Sequence, residues 1–169
     1  MALVLLGVAA EQAVAVDPIV VTSEKKPAVA GQFDSGHGTR GSESFLYVLK
    51  FQNQTLADIS GLKIDYAIFI QRPKLGAPVT DPGPVDHITG VGTIDVLNNN
   101  KPQTISTSQF TLNRRNLKSG FYYERGGRVK AEDSVVGLWV QVKQNGQLIA
   151  EYTNPPTVKT RGWPTQPSQ

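Results

Sequence analysis

His37 and His87 are the only imidazoles in this 169-residue chain, and it has no cysteine. That removes thiolate nucleophiles, disulfides and sulfur-ligated metal sites, and two histidines cannot make a three-histidine centre. His37 lies in a Gly- and Ser-rich run, residues 34–44, between Asp34 and Arg40. The run lacks the Gly-Lys-Ser/Thr ending with which a phosphate cradle closes, and it lacks the Gly-x-Ser-x-Gly elbow of a nucleophilic serine. It reads as an exposed loop. Asp86, His87 and Asp95 carry ligand-type groups, but neighbours along a strand point to opposite faces, so Asp86 and His87 do not converge. No spacing nominates a carboxylate pair for glycoside chemistry. The expectation is a chain with no catalytic residues, no metal and no cofactor, and therefore not an enzyme.

A basic segment offers binding chemistry instead. Arg114, Arg115, Lys118, Arg125, Arg128 and Lys130 interleave with Phe121, Tyr122 and Tyr123, and Glu124 is the single acid among them. One reading is a surface for an acidic partner: a sulfated or phosphorylated glycan, an anionic lipid headgroup or nucleic acid. The other is a solvated loop whose aromatic residues anchor it to a core. The net charge of +3 is too small to imply nucleic acid. Trp139 with Tyr123 would form a sugar-stacking platform if exposed, and core or interface packing is the other reading of Trp139. The candidate binding set is Trp139, Tyr122, Tyr123, Arg125, Arg128 and Lys130. Asn53-Gln54-Thr55 matches a glycosylation acceptor, a pattern that occurs by chance.

The elements that must position these residues are strands. Residues 134–152 hold two β-type runs around Asn145-Gly146, the strongest short-range hairpin signal. A three-residue loop, 144–146, would pair Val142 with Leu148, Val140 with Ala150 and Leu138 with Tyr152. One face would then be wholly apolar, including Val136, and a one-residue slip would spoil it. Trp139 falls on the opposite face beside Glu151, a face either covered by another segment or free to bind. Alternation predicts central strands over 45–52 (Phe45, Tyr47, Leu49, Phe51) and 62–71 (Leu62, Ile64, Tyr66, Ile68, Ile70). Shorter strands are expected at 19–22, 87–96 (Ile88, Ile94 and Val96 in phase) and 103–112. Residues 24–31 read as polar and irregular. The stretch 72–85, with four prolines, is a long crossover. Residues 113–133 are irregular, with short strands at 121–123 and 128–130. Asn154-Pro155-Pro156 ends the last strand, because proline cannot donate to a ladder.

These elements predict an all-β domain, an antiparallel two-sheet immunoglobulin-like sandwich with Greek-key connections. A chain of this length buries about 70% of its unfolded surface and needs no disulfide or metal staple. Residues 1–15, an apolar run ending in Ala13-Val14-Ala15, read as a signal-peptide remnant or a short N-terminal segment, too short to span a membrane. The sandwich is expected over 16–158 and a polar tail, with Trp163 its only large apolar residue, over 159–169.

Residues 45–72 (Tyr-Val-Leu-Lys-Phe-Gln-Asn-Gln-Thr, then Ile-Ser-Gly-Leu-Lys-Ile-Asp-Tyr-Ala-Ile-Phe) resemble the B–C strand pair of bacterial immunoglobulin-like envelope modules. Residues 136–155 resemble their closing hairpin. The pattern is similar to small secreted sandwich proteins of verrucomicrobial type, some of which accompany type IV pilus-like gene systems. It covers about two-fifths of the chain and lacks the Cys…Trp…Cys framework of antibody domains. The resemblance implies an envelope or assembly role and supplies no catalytic residues. The expected function is a secreted, periplasmic or outer-membrane-associated interaction module, a homo-oligomer or accessory of a surface assembly acting by protein–protein contact. The alternative is a carbohydrate-binding module. Neither involves nucleic acid or a membrane span.

Overall fold

Alternating apolar residues build two inner faces that close on each other. The computed structural model describes residues 17–29, 33–34, 38–124 and 126–164. The signal-type stretch 1–15 and His37 lie outside the described residues. The strands are β1 (Ile19–Val29), β2 (Phe33–Asp34), β3 (Gly38–Asn53), β4 (Ile59–Gln71) and β5 (Val85–Leu97). They continue as β6 (Gln103–Ser106), β7 (Phe110–Leu117), β8 (Lys130–Glu132), β9 (Ser134–Gln144) and β10 (Gln147–Asn154). A 3-10 helix, Pro156–Arg161, follows.

One sheet runs β1-β3-β7-β8, with β2 and β6 also paired to β3; the other runs β10-β9-β4-β5. Every pairing is antiparallel. The chain changes sheet between β3 and β4, between β5 and β6, and between β8 and β9. This is a Greek-key sandwich, with the A-B-E and G-F-C-C′ strand orders of immunoglobulin-like folds. The core between the sheets includes Leu49 and Phe51 of β3, Leu62, Ile64, Tyr66, Ile68 and Ile70 of β4, and Leu138, Val140 and Val142 of β9. Ile94 and Ile88 of β5 join it, whereas Val96 is exposed and Leu97 is buried in its place. The Tyr66 hydroxyl crosses to the other sheet, where the Ser108 amide donates to it at 2.7 Å.

Several expectations are corrected. Residues 38–44 are strand, not loop: β7 pairs with them from Gly38↔Leu117 to Ser44↔Thr111, and β2 pairs at Gly41 and Arg40. Partner strands override the weak local propensity of Gly and Ser. β1 continues through 24–29 because it is an edge strand, where Pro27 is tolerated and the register shifts. The predicted strand 103–112 is two strands that take successive stretches of β3, and β7 runs on to Leu117. Residues 121–123 are not strand, and β8 starts only at Lys130.

The hairpin register is also corrected. Gln144 pairs with Gln147, so the loop is Asn145-Gly146 alone, with both residues at positive φ (50° and 81°). That is the two-residue turn Asn-Gly favours, because its twist matches the strands. A bulge between Leu148 and Ala150 absorbs the extra residue. Val142 then faces Ala150 and Val140 faces Tyr152, while Leu148 is exposed. A second register shift, against Phe69 and Ile70, puts Val135 against the central core and Val136 on the outer face. The apolar face survives around Leu138, which is 1% exposed. Leu138→Ala should therefore cost about 2–5 kcal/mol in urea unfolding. A loss below about 0.5 kcal/mol, the range of surface changes, would place Leu138 outside the core.

Candidate functional site

Two connections meet at one end of the sandwich, 72–84 between β4 and β5 and 118–129 between β7 and β8. Their backbones are stitched together. The Gly76 amide donates to the Arg128 carbonyl at 3.0 Å, and the Arg128 amide donates to the Ala77 carbonyl at 2.9 Å. The Arg128 side chain completes the seam: its Nη2 donates to the Val79 carbonyl at 3.0 Å and to the Asp81 carbonyl at 2.8 Å. Arg128 is thus a staple between loops rather than a free cation. Tyr123 lies half-buried against Gly76. Lys130 is exposed and pairs with Glu132 at 3.3 Å. Arg125 lies outside the described residues. Phe121 and Tyr122 are 65% and 79% exposed, and Val79 is exposed on the facing loop.

Below these loops lies a cleft of about 580 Å³ lined by Arg40, Gly41, Ser42, Arg72, Asn113, Arg114, Arg115 and Asp133. Its floor is the buried carboxylate of Asp133. Oδ2 accepts from Arg72 Nη1 at 2.7 Å, from the Asn113 amide at 3.1 Å and from Asn113 Nδ2 at 3.0 Å. Arg72 Nε also donates to Asp86 at 2.6 Å. Arg114 donates to Glu132 at 2.7 Å. That bond, with Lys130 beside it, holds the Glu132 carboxyl below its ordinary pKa. Arg115 donates to the Pro73 carbonyl at 3.1 Å and stands 3.9 Å from Asp133 Oδ1. Arg40 is exposed and sits directly across the β3–β7 ladder from Arg115.

Trp139 belongs to neither surface. It is 8% exposed, and the chain after β10 covers it. Val158 packs into the space over Gly137, where a Cβ would stand 2.3 Å from a Val158 methyl. Trp163 meets Trp139 edge to face at 5.3 Å. Trp139 Nε1 donates to Glu151 Oε1 at 2.6 Å, and Lys159 pairs with the other Glu151 oxygen. The covered alternative for this face is therefore the one observed, with Val158 and Trp163 packed against it and residues 159–162 exposed. A second cavity beside Trp163, of about 490 Å³, is lined by Phe69, Val85, His87 and Arg161. Asp86 and His87 sit on opposite faces of β5, opposite Ile70 and Phe69. Among the described residues no group of three His, Asp or Glu side chains could hold a metal ion, and no helix is long and apolar enough to cross a membrane.

The acceptor-like Asn53 is a loop staple. It is buried, its Nδ2 donates to the Ala57 and Leu97 carbonyls at 2.8 and 3.1 Å, and Oδ1 accepts from the Thr55 amide and hydroxyl. Of the sequence-derived candidates, Tyr122, Tyr123, Arg128 and Lys130 lie along the loop end, and Trp139 lies under the C-terminal segment. Arg40, Arg72 and Asp133 are the residues sequence reasoning missed. Arg40 fell in a run read as loop, and the other two meet only through sheet-to-sheet packing.

No protein-family model and no curated protein matches the chain. A crystal structure from Akkermansia muciniphila is similar at 14% identity and a TM-score of 0.35, over 92% of this chain and 81% of that one. An X-ray structure of a structural-genomics target is similar at 15% identity and a TM-score of 0.33, over 82% of this chain and 88% of that one. Likeness of this extent carries no conclusion about this chain.

The strap over Trp139 makes a pH prediction. Burial alone would raise the Glu151 pKa, but the bonds from Lys159 and Trp139 outweigh it and hold it low. A carboxylate with a folded pKa below its unfolded one adds stability above the unfolded value, about 4.3 for Glu. That stability is lost as pH falls through the folded value. The thermal midpoint of wild type should therefore drop further than that of Glu151→Gln between pH 6 and pH 3, and parallel pH profiles would remove Glu151 from the strap's support.

Proposed function

We propose that the chain is a non-enzymatic interaction module of the secreted or cell-envelope kind, acting by protein–protein contact. In this reading it self-associates, as a unit of a surface assembly, through the loop end of the sandwich. The observation that carries it is the exposure of Phe121 and Tyr122 on a loop stitched to the 72–84 connection. Aromatic side chains on ordered backbone bring large contact area at low entropic cost, and such residues anchor interfaces. The placement outside the cytoplasm rests on the signal-type residues 1–15. A carbohydrate-binding reading has one observation in its favour, the arginine-lined cleft, although the burial of Trp139 takes away the stacking face that reading had relied on.

Size exclusion with light scattering on the full chain tests the proposal. Wild type is expected to run as an oligomer that dissociates on dilution. A Phe121→Ser/Tyr122→Ser double variant is expected to run as a monomer with an unchanged thermal midpoint. A wild-type monomer at every concentration, or a double variant that associates like wild type, would refute self-association through this surface.

A further inference from the structure

We infer that the edge of β5 pairs with the same edge of a second copy, antiparallel about a two-fold axis at Val91, so that two four-stranded sheets become one continuous sheet. β5 ends its sheet, and among the described residues β4 is its only ladder partner. The other edges carry devices that discourage a further strand. β1 has Lys25, Lys26, Pro27 and a register shift, and β10 has a bulge. β2, β6 and β8 are only two, four and three residues long. β5 runs for 13 residues without proline, lysine, arginine or a register shift.

Hydrogen bonding alternates along an antiparallel strand. The Arg72 amide donates to the Pro84 carbonyl at 2.9 Å, and the pairing continues in step from Gln71↔Val85. Even-numbered residues of β5 therefore bond to β4, and Thr89, Val91 and Thr93 aim their amides and carbonyls outward. Around them the sequence is a palindrome: Ile88-Thr89-Gly90-Val91-Gly92-Thr93-Ile94 reads the same in both directions. Two antiparallel copies centred on Val91 set Val91 on Val91, Thr89 on Thr93 and Ile88 on Ile94. The residues that must exchange hydrogen bonds in this register are the outward-aimed ones. Pairs of β-branched residues stabilise such a ladder. One step further, His87 comes opposite Asp95 at both ends, imidazole against carboxylate.

Core packing accounts for half of the palindrome. Ile88 and Ile94 join the core, a Cβ on Gly90 would stand 2.1 Å from the Tyr66 hydroxyl, and one on Gly92 would stand 3.1 Å from Ile105. It does not account for Thr89, Val91 and Thr93, which alternate to the outer face, where Val91 is 61% exposed. The two-fold closes the contact, because each edge occupies the other. This surface is separate from Phe121 and Tyr122, and it is weaker. A contact one strand wide lies below the roughly 1,200 Å² at which standard interfaces begin. It fills at about 1 mM, the effective concentration of units already linked in an assembly, and it empties at the dilution of a sizing column.

The test is sedimentation equilibrium of the full-length Phe121→Ser/Tyr122→Ser protein at about 1 mM, which takes association through the loops out of the measurement. Dimers are expected. Val91→Lys in that background sets two cations against each other on the axis and should weaken the dimer on the order of tenfold. Its thermal midpoint should not change, since the side chain it replaces is exposed. Spin labels read the register, because a chain without cysteine takes one label at Thr89→Cys, Val91→Cys or Thr93→Cys. The distance between labels should be shortest at 91 and equal at 89 and 93, where the two copies of each label lie about 13 Å apart along the ladder. Monomers at about 1 mM, a dimer indifferent to Val91→Lys, or a shortest distance at another position would overturn the pairing. A wild type that is monomeric on the sizing column yet shows this label pattern would refute the loop-end contact and uphold this one.

Discussion

A charge that leaves water must be paired, and at the loop end of this sandwich that requirement falls on Asp133. Its side chain is 1% exposed. An isolated carboxylate at such a depth is not sustainable, so partners must converge on it. They come from both sheets: Arg72 follows β4, Asn113 belongs to β7, and Asp133 joins β8 to β9. The same carboxylate sets the place of Arg72, which continues to Asp86 at the start of β5. The two connections above it are then held at a fixed height, and Arg115 reaches the first of them at Pro73. Removing the carboxylate would leave Arg72 to Asp86 alone and take the acceptor from both Asn113 donors.

Arginine plays different parts within a few ångströms here, and residue type does not separate them. Arg128 spends its side chain on carbonyl oxygens of the facing loop. Arg72 is a strut between carboxylates, whereas Arg40 stands in the ladder between Asp34 of β2 and Arg115 of β7. A basic patch counted from sequence would sum these as equal. Their partners show that much of the positive charge serves construction.

What was legible in the sequence was whatever period two encodes. The faces of β3 and β4 follow from Phe45 to Phe51 and from Leu62 to Ile70, since burial on one side leaves little choice of phase. The hairpin around Asn145-Gly146 was visible too, but its register was not. Turn chemistry decided the loop length, and a bulge restored the apolar pairing that a longer loop had been expected to provide. The run 38–44 was misread because Gly and Ser say what the chain can do alone, while β7 and β2 decide what it does in company. Asp133 had no local signature at all. Its role depends on a distance between sheets that spacing along the chain does not carry. The covering of Trp139 was one of two readings, and Val158, which makes it true, looks unremarkable in sequence.

The edge-to-face pair of Trp139 and Trp163 has a spectroscopic consequence. These are the only two tryptophans in the chain, and they lie 5.3 Å apart in one patch. Indole emission from this protein is therefore the emission of a single site, dominated by whether the C-terminal segment sits on the β9 face. An unfolding curve followed by fluorescence would trace the departure of that segment, and far-ultraviolet circular dichroism would trace the sheets. The two curves would superimpose only if the segment and the sandwich let go together.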